Sequence, residues 1–219
     1  MSRVRLMTVK FKFRKPEFGD SLSDISKALL ELGAIAEQLS TEERFLVDHP
    51  SGRAENDAEH AHMLSRIAPI IAMRYFPELD AGLTSLYATI HDDVEAYVGD
   101  TPTHEYKKEV LENKASIEEL GLKQLLKEYS HLPEYTRLIK SYEAQKKPEA
   151  RFVRMLDKLM PIVMHFNDRG ANLNKHWSKT EFTHHAHAKT DRFRDDYPEF
   201  GLLFEARTEL IEFVSKNYY

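Results

Sequence analysis

An apolar run leads directly into polar residues at Leu86-Tyr87-Ala88-Thr89-Ile90-His91-Asp92-Asp93-Val94-Glu95. The apolar spacing predicts a helix from about Gly82 to Tyr97, and the glycine and proline within Val98–Thr103 are typical of a helix end. His91 is therefore expected near the end of that helix. Because a histidine and an aspartate side by side can bind one divalent metal ion, this stretch indicates a metal site.

Two further segments supply the same kinds of side chain. His60 follows Asn56-Asp57, which can cap a helix whose apolar face continues to Ile71. Asp157 lies in Pro148–Phe166, another segment with helical periodicity. Each of these side chains alone is more often structural than metal-binding, so the prediction depends on the three segments together. The predicted metal ligands are His60, His91, Asp92 and Asp157.

Two imidazoles and two carboxylates form a mixed nitrogen and oxygen site. Such a site suits manganese, cobalt, nickel, iron or zinc, with magnesium less favoured. On a metal ion that prefers six ligands, four protein ligands leave two positions for water or phosphate oxygen. A metal-bound water is readily deprotonated. Glu95, one helical turn after His91, is placed to orient that water or to carry its proton. Asp93 points away from Glu95 and is expected to be solvated or to cap a helix.

Helical periodicity also dominates the rest of the chain. It marks a first helix from about Ser21 and further segments at Glu105–Leu120, Leu122–Tyr129, Glu134–Gln145 and Tyr197–Val214. Strand-like alternation is clearest in Val4–Phe13, which is interpreted as an edge strand or an arm. Since strand signals are scarce elsewhere, the sequence predicts an all-α fold.

The 219 residues suit one domain with one core. We expect a helical core at about 21–169, an N-terminal arm at 1–20 and a helical C-terminal extension at 170–219. The extension is rich in histidine and charge, and it is interpreted as an added helical hairpin or a lid. No internal repeat or change in composition divides the chain.

Composition excludes several classes of function. The chain has 31 basic and 36 acidic residues and a net charge of -5, which argues against a dedicated binder of long nucleic acid. It has no cysteine, so disulfides and thiolate-bound zinc are excluded. No apolar run is long enough to cross a membrane, and the basic start lacks the continuous apolar core of a signal peptide. We therefore expect a cytoplasmic protein without a membrane partner.

Three segments, in order, resemble the HD-domain phosphohydrolases, a family of helical bundles. They are Arg53-Ala54-Glu55-Asn56-Asp57-Ala58-Glu59-His60, then His91-Asp92-Asp93-Val94-Glu95 with Gly99-Asp100-Thr101-Pro102, and Lys147-Pro148-Glu149-Ala150-Arg151-Phe152-Val153 leading to Asp157-Lys158-Leu159. The resemblance spans about 41–166 and is greatest to the 5'-deoxynucleotidase branch, which removes phosphate from deoxynucleoside 5'-monophosphates.

The resemblance implies a role for each matching residue. It implies that the four predicted ligands hold the metal and that Glu95 is the catalytic acid or base. Asp100 matches the residue that contacts the sugar 3'-hydroxyl, and Arg53 matches an arginine near the site that could hold phosphate oxygens. The branch carries an arginine-tryptophan pair ahead of the first motif. Arg44-Phe45 is the nearest candidate, with its spacing off by one residue, and Arg44 is the expected substrate contact.

The leading hypothesis is a metal-dependent phosphohydrolase whose partner is a small nucleotide, with homodimer formation possible. One alternative is a triphosphohydrolase that acts on deoxynucleoside triphosphates. Another is a non-catalytic module that senses a nucleotide, although the carboxylate of Glu95 argues for an enzyme. Identification of the released products separates the two enzymes, since one releases orthophosphate and the other triphosphate.

Overall fold

A computed structural model describes residues 11–18, 21–99 and 108–219. The described helices are α1 (Asp24–Leu39), α2 (Asp57–Tyr75), α3 (Ala81–Ile90), α4 (Glu95–Val98), α5 (Lys108–Glu128), α6 (Pro133–Glu143), α7 (Pro148–Asp157), α8 (Met160–Asn167), α9 (Leu173–His176), α10 (Lys179–Asp196) and α11 (Gly201–Asn217). A single 3-10 turn, Pro198–Phe200, joins α10 to α11. The fold is an all-α helical bundle, as the sequence predicts.

A short hairpin between α1 and α2 was not predicted. Strand β1 (Glu43–Asp48) pairs antiparallel with β2 (Ala54–Asn56), with an irregularity between the two ends of β1. The loop that joins them closes at Gly52, whose φ of 80° favours glycine. The hairpin places Arg44 and Glu55 in front of the first turn of α2.

The predicted helix at Gly82–Tyr97 is interrupted. Helix α3 ends at Ile90, and a turn separates it from α4, which begins at Glu95. The His91 side chain hydrogen-bonds to the carbonyl of Ala88, 2.9 Å away, and short-range backbone bonds such as Glu95 N–H to the Asp92 carbonyl (2.7 Å) replace the helical ladder. Sequence periodicity did not reveal this break because apolar residues continue on both sides of it.

The predicted helix at Pro148–Phe166 is also two helices. Helix α7 ends at Asp157 and α8 begins at Met160. Pro161 lies in the first turn of α8 and has no N–H to donate to the carbonyl of Asp157, so a continuous helix would lose that bond. The two segments predicted at Glu105–Leu120 and Leu122–Tyr129 form one helix in the described residues, α5.

Buried apolar side chains form the core in three clusters. The first joins α2, α3, α7 and α11 around Leu64, Tyr87, Phe152 and Phe204. A second packs α1 and α5 against Tyr97 of α4. The third holds α8 against α10 and α11. The C-terminal helices α10 and α11 pack on each other, and Phe204 belongs to the first cluster.

The described part of the N-terminal arm lies against α4. Lys12 donates its backbone N–H to the carbonyl of Tyr97, and Phe13 is buried with its ring 5.0 Å from that of Tyr97. Most of the strand predicted at Val4–Phe13 lies outside the described residues, and 11–13 have no regular strand. Among the helices that the structure describes, none combines the length and apolar character needed to span a lipid bilayer.

Candidate metal centre

His60 enters the site from the first turn of α2. The turn is fixed by a capping box, in which Asn56 accepts the backbone N–H of Glu59 at 2.9 Å and Glu59 accepts that of Asn56 at 3.2 Å. His60 is fully buried, at 1% exposure. A polar ring buried this deeply requires partners, and they come from α7 and the hairpin.

His91 and Asp92 enter from the turn that follows α3. The contact between Nδ1 of His91 and the Ala88 carbonyl requires that Nδ1 carries the proton. The other ring nitrogen, Nε2, then carries a lone pair and faces Oδ2 of Asp92 at 3.0 Å. The break in the helix thus orients His91 as a metal ligand would be oriented.

Asp157 is the last residue of α7. Its Oδ1 lies 2.9 Å from Nε2 of His60 and 4.0 Å from Nε2 of His91. Oδ2 of Asp92 lies 4.0 Å from Nε2 of His60. The structure therefore brings together all four predicted ligands, which come from three segments that are far apart in the sequence.

These separations fit one divalent ion. Bonds of about 2.1 Å from an ion to nitrogen and oxygen place neighbouring ligand atoms about 3 Å apart and opposite ones about 4 Å apart. The ligand atoms of His60, His91 and Asp157 lie within 4.8 Å of one another. Nε2 of His91 is buried and makes no hydrogen bond within the part of the chain that the structure describes. A metal ion would satisfy that lone pair, so the donor set fits the predicted cofactor.

The charges of the cluster also favour a cation. Burial acts to raise the pKa of Asp92, but the close contact with the His91 ring and the charge of Arg44 outweigh it and hold the pKa well below its usual range. Burial likewise acts to lower the pKa of His60, but its hydrogen bond with Asp157 contributes to raising it to about 9. The carboxylates therefore stay ionised. Their negative charge favours a cation bound between them and the histidine ring nitrogens.

Arg44 lies beside the ligands and is held by carboxylates. Its Nη1 donates to Oδ1 of Asp57 at 3.2 Å and to Oδ2 of Asp92 at 3.1 Å, and its Nε lies 3.5 Å from Oε2 of Glu55. Burial acts to lower the pKa of Arg44, but the charges of nearby carboxylates, that of Asp92 first among them, raise it. Arg44 thus anchors Asp92, a contact that the sequence did not predict.

Glu55 and Asp57 are residues of the site that the sequence interpretation missed. Both are buried, at 1% and 0% exposure. Oε2 of Glu55 lies 3.7 Å from Nδ1 of His60, beyond hydrogen-bonding distance but close enough for attraction. Asn56-Asp57 was interpreted as a helix cap and Glu55 was given no role, because the hairpin that buries Glu55 and Asp57 was not recognised.

The predicted catalytic residue Glu95 stands at the start of α4. It lines the same cleft as His91, Asp92 and Asp157. One of its carboxylate oxygens lies within 4.8 Å of carboxylate oxygens of Asp92 and Asp57. A carboxylate placed beside the ligands in this way can accept or return a proton within the cleft.

Asp93 is buried rather than solvated. It is 5% exposed, and its Oδ2 accepts a hydrogen bond from the hydroxyl of Tyr135 at 2.7 Å. Burial raises the pKa of Asp93 to about 7. The expectation of a solvated carboxylate was wrong because the turn after α3 directs this side chain toward α6.

One predicted substrate contact, Arg53, is not brought to the cluster. Arg53 is exposed, and it donates to both carboxylate oxygens of Glu59, at 2.6 and 2.9 Å, and to the carbonyl of Ala54. None of these partners is a candidate ligand, and Arg53 does not line the cleft. Asp100 lies outside the described residues. The roles given to both residues stay predictions.

A cleft of about 560 Å³ opens beside the four ligands. Its walls come from the turn after α3 and from α5, α6, α7 and the end of α10. Cationic and aromatic side chains share these walls: Lys114, Arg154, Lys158, Arg192, Tyr142, Phe193 and Tyr197. A larger hollow of about 810 Å³ lies along 11–18, away from the ligands, and it is not lined by any of them.

Comparison with known proteins identifies the family of the chain. The HD domain family matches residues 36–200, and the chain therefore belongs to that family. A solved structure of a predicted metal-dependent phosphohydrolase from Magnetospirillum magnetotacticum MS-1 is similar, with 25% identity and a TM-score of 0.67 over 87% of this chain and 92% of that one. A conserved hypothetical protein from Pyrococcus furiosus has 23% identity and a TM-score of 0.49 over 75% of this chain and 98% of that one. No curated protein matches the chain.

Proposed function

We propose that the protein is a metal-dependent phosphohydrolase that removes phosphate from nucleoside or deoxynucleoside 5'-monophosphates. The observation that supports this most is the convergence of His60, His91, Asp92 and Asp157 beside an open cleft. A solved structure described as a predicted metal-dependent phosphohydrolase has the same fold. The resemblance of the sequence to the 5'-deoxynucleotidase branch supports the choice of substrate.

Each group of the chain has a proposed part in the reaction. A bound divalent ion would supply Lewis acidity and a water that loses its proton easily. Glu95 would take a proton from the attacking water and return one to the departing sugar oxygen. Arg44 would hold Asp92 in place and neutralise part of the acidic cluster.

The cleft supports a mononucleotide as the substrate. Its volume of about 560 Å³ falls in the usual range for small-molecule sites. Its cationic side chains can bind phosphate, and its aromatic rings can pack against a sugar or a base. Asp100 stays the proposed contact of the sugar 3'-hydroxyl, and Arg53 stays a proposed phosphate contact.

The experiment is a screen of nucleoside mono-, di- and triphosphates with manganese, cobalt or magnesium, with every product identified. We expect orthophosphate and a nucleoside from a monophosphate. Release of triphosphate would favour the triphosphohydrolase instead. Stabilisation by a nucleotide with no product, across all metals, would overturn the enzymatic proposal and favour a sensor.

Asp92→Asn is the variant that ties activity to the metal site. Replacing the carboxylate removes a charged ligand, so we expect turnover to fall to background and the stabilisation by manganese to disappear from the thermal unfolding curve. Asp191→Asn, at an exposed position of α10, is the matched control and should retain both the turnover and the stabilisation by manganese. Full turnover by Asp92→Asn would exclude this metal site from the reaction.

A further inference from the structure

We infer that Arg154 binds the substrate phosphate, an inference that rests on the proposed function. Arg154 lies on α7 three residues before Asp157, so the two side chains share one face of the helix. Both line the cleft that His91 and Asp92 also line. Neither sequence motifs nor the family resemblance had assigned a role to this arginine.

The charge of the cleft requires a cation for an anionic substrate. Among the residues that the structure describes, seven carboxylates and four cationic side chains line it. A divalent ion would offset only part of this negative charge. A phosphate that enters the cleft therefore depends on a cation that is not fully occupied by the protein's own carboxylates.

The other cations of the described residues around the cleft are paired with carboxylates or lie at its rim. Lys158 donates to Oδ2 of Asp157 at 2.7 Å, and Lys114 lies 3.3 Å from a carboxylate oxygen of Glu118. Arg192 is 64% exposed and lies 4.0 Å from Asp196, so it belongs to the outer rim. Arg44 is engaged by buried carboxylates and does not line the cleft.

Arg154 is oriented but weakly held. Its guanidinium carbon lies 5.3 Å from the centre of the Tyr142 ring, a cation–π contact that favours this position of the side chain. Its hydrogen bond with Glu143 is 3.4 Å long, whereas charge-assisted bonds of this type are usually about 2.7 to 2.9 Å. A phosphate can therefore displace Glu143 and accept two parallel bonds from the planar guanidinium.

The arrangement explains why an arginine is needed at this position. Its side chain is 33% exposed and lines the cleft, so an anion in the cleft can reach it. A lysine would keep the charge but would lose the two-pronged geometry of the guanidinium. Arg154→Lys is therefore expected to retain part of the phosphate binding that Arg154→Met loses.

The test compares Arg154→Met, Arg154→Lys and Arg151→Met in the full chain loaded with manganese. Arg151 lies one turn earlier on α7, pairs with Glu199 and does not line the cleft, so it is the matched control. Titration calorimetry measures the binding of inorganic phosphate and, separately, of manganese. Steady-state kinetics on the preferred nucleotide give KM and kcat.

We expect Arg154→Met to weaken phosphate binding and to raise KM by roughly 10- to 100-fold, with manganese affinity unchanged. Arg151→Met should match the wild type, and Arg154→Lys should fall between. Wild-type phosphate affinity in folded Arg154→Met, or no phosphate binding by the wild type, would overturn the inference. If the wild type binds phosphate through Arg154 but hydrolyses no nucleotide, the proposed function fails and the anion site stands.

Discussion

Asp157 divides its two carboxylate oxygens between His60 and Lys158. Oδ1 lies 2.9 Å from Nε2 of His60, and Oδ2 accepts a hydrogen bond from Nζ of Lys158 at 2.7 Å. The lysine therefore leaves one oxygen directed at the metal centre and fixes the other away from it. Its charge also contributes to holding the pKa of Asp157 well below its usual range, against the effect of burial.

Lys158→Met should weaken metal binding without preventing folding. Loss of the ammonium group leaves Oδ2 of Asp157 without this partner and lets the carboxylate rotate. Partners of this kind usually change metal affinity about 10- to 100-fold. Calorimetric titration with manganese measures the effect. Lys140→Met, at an exposed position of α6, is the control, and equal affinities for the two variants would contradict the orienting role.

Arg44→Met should destabilise the metal-free protein more than the metal-loaded protein. The side chain of Arg44 is 14% exposed and contacts Asp57 and Asp92, so its removal leaves buried carboxylates facing one another. Removing one partner of a buried ion pair costs about 3 to 5 kcal/mol. Because a divalent ion would replace part of the lost charge, the cost should shrink when manganese is present.

Urea unfolding with and without manganese measures both quantities for Arg44→Met. Arg53→Met is the control. Because Arg53 is exposed, the urea midpoint of this variant should stay close to that of the wild type. A cost for Arg44→Met that is the same with and without manganese would mean that Arg44 and the metal do not act on the same carboxylates.

The order of histidine and aspartate residues along the sequence was enough to predict which side chains come together at the candidate metal centre. His60, His91, Asp92 and Asp157 were identifiable because histidine, histidine-aspartate and aspartate follow one another in three separate helical segments. The hairpin residues Glu55 and Asp57 were not identifiable, since their importance depends on burial by β1 and β2. Buried polar residues look the same as exposed ones in a sequence, so tertiary contacts alone reveal them.

The helix breaks show the same limit on a larger scale. Periodicity predicted the all-α fold and most of the helices, but it joined α3 to α4 and α7 to α8. The breaks at His91 and after Asp157 come from side-chain hydrogen bonding and from Pro161. Both interruptions place predicted metal ligands at helix ends, where local hydrogen bonding competes with the regular helical pattern.

His165 should make the fold sensitive to acid. It is buried at 7% exposure, and burial lowers its pKa from an ordinary 6.5 to about 4. The unfolded chain therefore binds a proton more readily than the folded one. The stabilising contribution is complete above about pH 6.5 and is lost as the pH falls toward 4, by roughly 2 to 3 kcal/mol.

Urea unfolding of His165→Leu between pH 4 and 7 checks the contribution of His165. The variant should lose less stability than the wild type over this range, because no ring remains to be protonated. His184→Leu, at an exposed position of α10, should follow the wild-type curve. Parallel curves for all three proteins would show that His165 is not the acid-sensitive group.

Two helical glycines should respond in opposite ways to alanine. At Gly33 of α1 an added Cβ meets nothing within 4 Å, so Gly33→Ala should stabilise the protein by about 0.5 to 1 kcal/mol through helix propensity. At Gly121 of α5 the same atom would lie 2.8 Å from Cγ1 of Val98 and 3.2 Å from Cγ1 of Val94. In Gly121→Ala, overpacking should therefore cancel the stability gained from helix propensity. The variant should also have a lower kcat, because Val94 and Val98 lie on either side of Glu95 in the sequence. Thermal unfolding and kinetics of both variants decide the matter: equal stabilisation would mean that α4 can move away from α5 at no cost.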